Sequence, residues 1–244
     1  MPTIYLSPSL QEFNEYVNGD SEEYYMNLLA DEMEPYLVAS GIKFVRNNPS
    51  QSLSSAIRDS NAGNYDVHLA LHSNAAPPQL AGKIKGTDIY YYPQSANSKR
   101  LADITAENFK EIYPNPSIVK TVPTTRLAEV AKTKAPAILI EVAYHDNEED
   151  ANWIRNNLNE IARNLVMSLT EYFDIPFVEP GNQRNATVTT MGGNLNIRSK
   201  PSTESSVIAS APNGSAIKIL GQWQNWYVVD YNGTVGYASS KYIS

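Results

Sequence analysis

The sequence predicts an α/β domain with a mostly parallel sheet flanked by helices, followed by a small all-β barrel domain. Strand and helix patterns alternate through residues 1–175, which favours a sheet covered by helices. Residues 176–185 contain Pro176, Pro180 and Gly181 and read as a linker. From residue 186 to 244, short strands separated by turn signals replace the helical patterns.

Each element of the first domain rests on a hydrophobic pattern. Strands are predicted at residues 4–6, 42–46, 67–71, 87–92 and 137–140, and the last of these is the most apolar. Helices are predicted at residues 20–40, 53–62, 98–112 and 150–173. In the first helix, Met26, Leu29 and Met33 recur at helical spacing, and Pro35 is expected to kink it.

Composition excludes several classes of function. The net charge is −7, and residues 1–184 carry 15 basic and 24 acidic side chains, which argues against nucleic acid as a partner. Without cysteine, there can be no disulfide, thiolate metal ligand or cysteine nucleophile. No apolar run is long enough for membrane insertion. The first residues, MPTIYL, do not resemble a signal peptide, so synthesis in the cytoplasm is expected.

Three side chains are candidates for a metal-dependent site. His72 directly follows the apolar strand at 67–71, and Glu141 directly follows the strand at 137–140. Active sites of open parallel sheets lie at the carboxyl ends of strands, so these two residues are expected to meet. Glu23 lies three residues before Met26 and is expected to extend the buried stripe of the first helix towards the sheet, while Glu22 faces solvent. The alternative is that Glu23 caps the helix together with Asp20.

The other two histidines are weaker candidates. His68 lies on the same strand face as His72 but about 13 Å away along the strand, so both cannot bind one metal. It is expected to be a hydrogen-bonded core residue. His145 lies in a loop after Glu141, close to the site or capping the next helix with Asp146.

Residues 1–175 resemble the N-acetylmuramoyl-L-alanine amidase family known as amidase type 3, in a clostridial-type endolysin or autolysin branch. The matching segments occur in the family's order: residues 23–28 (EYYMNL), 71–75 (LHSNA) and 126–147, which include APAILIE. The resemblance implies zinc binding by Glu23 and His72 and a catalytic role for Glu141. It also implies that zinc-activated water cleaves the amide between N-acetylmuramic acid and L-alanine in peptidoglycan. Asn74 is expected to orient His72 or the substrate.

One departure from the family concerns its first zinc ligand, a histidine after the first strand. Residues 7–14 read SPSLQEFN and contain no histidine. Gln11 is the first choice for this place, although an amide oxygen is a weaker zinc ligand than imidazole. His145 and Glu12 are the alternatives. Two other functions therefore stay open: a wall-binding protein with impaired catalysis, and a zinc carboxypeptidase acting on the peptide stem.

Residues 186–244 resemble bacterial SH3 domains, which implies an SH3-like barrel that binds the cell wall. The matching segments are residues 195–202 (LNIRSKPS), 226–229 (WYVV) and 236–243 (GYASSKYI). Trp223, Tyr227 and Tyr231 are expected to line the wall-binding face, since aromatic rings suit wet binding surfaces. Trp226 is expected to fill the barrel core. Together the resemblances imply a lytic enzyme that reaches the wall at lysis, through a holin pore or by a non-classical export route. The sequence leaves the oligomeric state open.

Overall fold

The computed structural model describes residues 1–17 and 19–244 and divides into two compact units. The first unit comprises Thr3–Glu34 and Phe44–Tyr172. The second comprises Met1–Pro2, Pro35–Lys43 and Phe173–Ser244. This division places Pro35–Lys43, which the sequence grouped with the first domain, in the second unit.

The first of two sheets in the described part of the chain has six strands, in the order β2-β1-β3-β6-β4-β5. The pairs β1–β3, β3–β6 and β4–β5 are parallel, and β4–β6 is antiparallel. The predicted α/β class is therefore confirmed. The strands are β1 (Thr3–Pro8), β2 (Lys43–Arg46), β3 (Val67–Asn74), β4 (Thr87–Tyr91), β5 (Val119–Pro123) and β6 (Ala137–Tyr144).

The first three predicted helices are present, the last is divided in two, and the short helix at Ala128–Ala131 was not predicted. The helices are α1 (Glu22–Ala39), α2 (Leu53–Ala62), α3 (Ala96–Phe109), α4 (Ala128–Ala131), α5 (Glu148–Asn156) and α6 (Leu158–Phe173). The single helix predicted over residues 150–173 is broken at Asn157. The side chain of Asn157 donates to the backbone oxygen of Trp153 at 2.7 Å, and such local bonding competes with continued helix.

The buried stripe of α1 sets the orientation of its first turn. Met26, Leu29 and Met33 are fully buried. The Ser21 hydroxyl accepts a hydrogen bond from the backbone N–H of Tyr24 at 3.1 Å, so it caps the helix and fixes Glu22 as the first helical residue. Pro35 lies inside the helix, which runs on to Ala39.

The second unit contains a separate six-stranded sheet, in the order β7-β10-β11-β12-β8-β9, with antiparallel pairing throughout. This confirms the predicted all-β second fold. Its strands are β7 (Arg184–Thr187), β8 (Leu195–Arg198), β9 (Val207–Ala211), β10 (Ala216–Trp223), β11 (Trp226–Tyr231) and β12 (Thr234–Ser239). Alternate residues point inward and form a core that includes Leu195, Ile197, Ile217, Ile219 and Val229.

Across the described ranges, none of the helices has both the length and the apolar character needed to cross a lipid bilayer.

Candidate metal and catalytic site

The two strands at the centre of the first sheet carry the candidate residues. His72 on β3 and Glu141 on β6 are register partners in a parallel pair. On the other side of β6, Glu141 is the register partner of Asp88 on β4. Adjacent strands therefore bring an imidazole and two carboxyl groups into one row across the sheet, near the carboxyl ends of β3 and β6.

His72 is held between two carboxylates that lie on opposite sides of its ring. Nδ1 is 2.7 Å from Glu22 Oε1, and Nε2 is 3.1 Å from Glu129 Oε2. Burial disfavours the imidazolium, but the hydrogen bonds to Glu129 and Glu22 outweigh it, and the pKa of His72 lies well above its usual value. The imidazole is therefore charged at neutral pH when no cation replaces its proton.

The structure corrects the prediction for the first turn of α1. Glu22 is 1% exposed and contacts His72, whereas Glu23 is partly exposed and accepts a hydrogen bond from Asn27 Nδ2 at 2.7 Å within the helix. Both glutamates precede Met26 by about one turn. Glu22 is also seven residues before Leu29, so it lies nearer the centre of the buried stripe, and this spacing could have identified it from sequence. We therefore assign Glu22 the place predicted for Glu23.

Gln11 lies in the segment where the family has its first zinc-binding histidine and this sequence has none. Its Nε2 is 3.3 Å from His72 Nδ1, on the same side of the ring as Glu22. Asn14 Nδ2 donates to Gln11 Oε1 at 3.0 Å and to Glu22 Oε2 at 2.7 Å, so it ties the two side chains together. An amide, a carboxylate and an imidazole nitrogen thus converge at one point.

Glu129 on α4 is a site residue that sequence reasoning missed. It is 4% exposed, and its Oε1 accepts a hydrogen bond from Ser7 Oγ at 2.5 Å. The same oxygen is 3.2 Å from Nε2 of His68, whose Nδ1 is 2.9 Å from Ser60 Oγ. His68 is fully buried. The available signal was a lone acid in the apolar stretch 127–131 (LAEVA), which is costly to bury without partners.

Glu141 has the environment of a general base. Its Oε2 is buried and has no hydrogen-bond partner in the part of the chain that the structure describes. Burial, together with the negative charges of Glu22, Asp88 and Glu129, raises the pKa of Glu141 to about 7 against the opposing effect of His72. A carboxyl group with a pKa near neutrality is well matched to proton transfer at physiological pH.

The raised pKa of Glu141 makes the stability of the metal-free protein depend on pH. The folded state holds this proton more tightly than the unfolded state, so stability falls as pH rises from about 4.5 to 7. Glu141→Gln removes this loss. We expect the variant and the wild type to have similar free energies of unfolding at pH 5. At pH 8 the variant should be more stable by about 3 kcal/mol. Urea denaturation with a chelator present measures both; an equal difference at the two pH values would contradict the assignment.

The remaining predicted residues occupy three different surroundings. His145 Nδ1 lies 2.9 Å from the backbone oxygen of Ser73, and its ring stacks on Tyr16. Glu12 is exposed. Asn74 ends β3, where its backbone oxygen accepts from the N–H of His145 at 2.8 Å. Gln11 is thus the candidate that the structure brings to His72.

A cavity of about 370 Å³ opens beside His72 and Glu129. Its rim is apolar at Phe13, which is 78% exposed, and at Leu53, which is 45% exposed. Large exposed apolar side chains beside a polar cleft are typical of ligand contacts. Sequence reasoning did not single out Phe13. The complete lining comprises Ser7, Pro8, Ser9, Leu10, Gln11, Phe13, Gln51, Ser52, Leu53, His72 and Glu129.

No group of three or more histidine, cysteine, aspartate or glutamate side chains in residues 1–17 and 19–244 is placed to hold one metal ion. The reason lies at His72, because Glu22 and Glu129 approach opposite ring nitrogens. On the Nδ1 side the third polar group is the Gln11 amide, which is outside those four residue types.

In the second unit, the aromatic residues predicted to bind the wall are all partly buried. Trp223 packs against a core cluster together with Trp226, while Tyr227 and Tyr231 pack against the main core. This unit also has a groove of about 280 Å³, which is not lined by Trp223, Tyr227 or Tyr231. Trp226, which was predicted to fill the barrel core, lines this groove. Its lining comprises Thr190, Asn194, Leu195, Asn196, Arg198, Thr203, Trp226, Ser239 and Tyr242.

Two protein-family models match the chain. Residues 11–171 match the N-acetylmuramoyl-L-alanine amidase model, and residues 193–244 match the bacterial SH3 domain model. A curated relative, the putative N-acetylmuramoyl-L-alanine amidase YrvJ of Bacillus subtilis, is 26% identical over 97 residues. That match covers 40% of this chain and only 19% of the relative.

Solved structures share the fold of the first unit at low sequence identity. The amidase AmiC2 of Nostoc punctiforme is 16% identical with a TM-score of 0.61, over 71% of this chain and 97% of that one. The catalytic domain of the CD27L endolysin, targeting Clostridia Difficile, is 21% identical with a TM-score of 0.58. That alignment covers 70% of this chain and 98% of that one.

Proposed function

Because this chain belongs to the N-acetylmuramoyl-L-alanine amidase family, we propose that it hydrolyses the amide between N-acetylmuramic acid and L-alanine in peptidoglycan. The observation that carries the proposal is that Glu22, His72 and Glu141 lie together near the carboxyl ends of the two central strands. The three come from different parts of the chain, and only the fold brings them together.

The residues on the Nδ1 side of His72 fit a zinc ion. Imidazole nitrogen and carboxylate oxygen are common zinc ligands. Gln11 Nε2 faces the same point, so Gln11 would bind the ion through Oε1 after its amide turns over. The unpartnered Oε2 of Glu141 is a buried acceptor on the neighbouring strand. His72, Glu22 and Gln11 are therefore proposed to hold the ion, which would supply an activated water and polarise the substrate carbonyl.

Glu141 carries the proton transfers in this proposal. Its carboxylate accepts the proton of the attacking water and then donates it to the nitrogen of the leaving L-alanine, so that the amine departs uncharged from the carbonyl carbon. In the metal-free protein the pKa of Glu141 is about 7, and a buried carboxyl group of this kind can both accept and donate a proton. His72 and Glu22 contribute by fixing the geometry around the reacting carbonyl, since both are buried and hydrogen-bonded.

Wall hydrolysis by zinc-loaded and chelator-treated protein tests the proposal. We expect the zinc-loaded protein to bind one equivalent of zinc and to clear a suspension of purified cell walls, and the chelator-treated protein to regain this activity when zinc is restored. Zinc content near zero after loading, together with walls that stay turbid, would refute it.

A second candidate function is binding to the wall without catalysis. It is favoured by the family histidine that is missing from residues 7–14 and by the carboxylate partners that occupy both ring nitrogens of His72. In that case the protein would sediment with walls but release no soluble fragments. A carboxypeptidase acting on the peptide stem would instead release free alanine.

Phe13 is expected to contact the substrate at the cavity rim. Phe13→Ala should raise KM by about 3- to 10-fold, as the loss of an aromatic contact implies, with little change in kcat. The melting temperature should hardly change, because the ring is 78% exposed. Leu80→Ala is the matched control, since Leu80 is exposed but does not line the cavity. An unchanged KM for Phe13→Ala would remove this residue from the substrate contacts.

The second unit is proposed to hold the enzyme on peptidoglycan, which raises the local substrate concentration. The match of residues 193–244 to bacterial SH3 domains supports this role. Trp223, Tyr227 and Tyr231 remain proposed contact residues. The groove adds Trp226, Tyr242 and Arg198, a mixture of aromatic and cationic groups suited to an anionic wall polymer. We further propose that the biological role is lysis of the cell wall.

A further inference from the structure

We propose that Glu129 is a positioning residue that holds the His72 ring so that Nδ1, beside Glu22, is the nitrogen offered to a divalent cation. This inference rests on the proposed function, because a cation at that point is part of it. It adds a residue that neither the sequence motifs nor the family resemblance singled out.

The contact with Glu129 determines which nitrogen of the His72 ring carries a hydrogen. Glu129 Oε2 lies 3.1 Å from His72 Nε2. The other oxygen of the same carboxyl group, Oε1, accepts from the Ser7 hydroxyl. A carboxylate only accepts hydrogen bonds, so its partner His72 Nε2 is the donor. An imidazole that donates through Nε2 can present the lone pair of Nδ1 to a metal.

Contacts at both carboxylate oxygens hold the Glu129 side chain against His72. Oε1 accepts from Ser7 Oγ at 2.5 Å and lies 3.2 Å from His68 Nε2. His68 is held in turn by Ser60, through a 2.9 Å contact at Nδ1. The carboxylate thus has partners on both oxygens, and 4% exposure leaves it little contact with water.

The other ligand candidates lie beside the opposite ring nitrogen, Nδ1. Glu22 Oε1 and Gln11 Nε2 both face Nδ1, at 2.7 and 3.3 Å, while among the described residues Glu129 is the one that contacts Nε2. A cation at Nδ1 would therefore meet the Glu22 carboxylate and, once the Gln11 amide turns over, Gln11 Oε1, whereas a cation at Nε2 would meet only Glu129 among these groups. A carboxylate that accepts from the other ring nitrogen fixes the ring orientation of a metal-binding histidine.

Nitrogen NMR of the full chain labelled with ¹⁵N-histidine tests the assignment, and only three histidines need to be assigned. We expect His72 to show a slowly exchanging Nε2–H with and without zinc, and zinc to shift the Nδ1 resonance. A zinc-induced shift at Nε2 would overturn the proposal, because Glu129 would then lie on the metal side.

Glu129→Gln separates positioning from general structural support. The variant should lose the slowly exchanging Nε2–H and bind zinc about 10- to 100-fold more weakly, as measured by competition with a chromophoric chelator. Ser7→Ala leaves the charge of Glu129 intact and should weaken zinc binding less, by about 2- to 10-fold. It keeps the test open if Glu129→Gln fails to fold.

The outcomes distinguish this inference from the proposed function. Wild-type zinc affinity and an unchanged Nε2–H in both variants would overturn the role of Glu129, while wall hydrolysis by the wild type would leave the function standing. If the wild type binds no zinc, the proposed function fails and the placement of Nδ1 at a cation fails with it.

Discussion

Replacing Glu141 with glutamine is expected to lower kcat for wall hydrolysis by about 10³-fold, within the range for loss of a general acid–base group. Glutamine keeps the size of the side chain but cannot accept the water proton. Its effect on KM should be small, since the amide still occupies the same place between His72 and Asp88 in the sheet. A loss of this size corresponds to about 4 kcal/mol of transition-state stabilisation.

The measurement is the initial rate of fragment release from purified walls, compared at equal zinc occupancy. Zinc content is the necessary control, because it separates loss of the base from loss of the ion. The fold is checked by urea denaturation, in which this variant should be at least as stable as the wild type above pH 7. A rate within about tenfold of the wild type would exclude Glu141 as the base.

The second large effect is a loss of zinc binding and wall hydrolysis that we expect when Glu22, but not its neighbour Glu23, is replaced with glutamine. Glu22→Gln should weaken zinc binding by more than about 100-fold and abolish wall hydrolysis. This loss exceeds the range of about 10- to 100-fold for residues that contact a metal ligand but not the metal. The substitution removes the carboxylate that lies 2.7 Å from His72 Nδ1. Glu23→Gln should leave both properties unchanged, because an amide oxygen can still accept the hydrogen bond from Asn27.

The pair controls for composition, helix position and local charge, since the same substitution is made one residue apart in α1. Zinc affinity by chelator competition and wall clearing are the two readouts. If Glu23→Gln is the variant that loses zinc, α1 enters the site with a different rotation and the structure's assignment of Glu22 is wrong. Equal losses in both variants would point to the net charge of the helix terminus instead.

The sheet and helices could be predicted because their patterns are periodic and local. Residues 53–62 show this best, since the predicted helix coincides with α2. The break at Asn157 was not predictable from the apolar stripe, which continues through Ile154 and Leu158. It depends on the Asn157 side chain, which donates to the backbone oxygen of Trp153.

The part of the site that could be predicted is the part in which two residues meet because their strands are neighbours in the sheet. His72 and Glu141 each end an apolar strand, and the pairing of β3 with β6 makes them neighbours. The choice between Glu22 and Glu23 needed the start of α1, which the Ser21 cap sets. Glu129 could not be placed, because its contacts to Ser7, His68 and His72 span from 57 to 122 residues of sequence.

The most direct test is mass analysis of the fragments that the zinc-loaded protein releases from purified peptidoglycan. Hydrolysis at the proposed bond should yield stem peptides that begin with a free L-alanine amino group, together with glycan strands whose lactyl groups carry free carboxylates. Stem peptides that remain attached to the glycan while only a terminal alanine is released would contradict it.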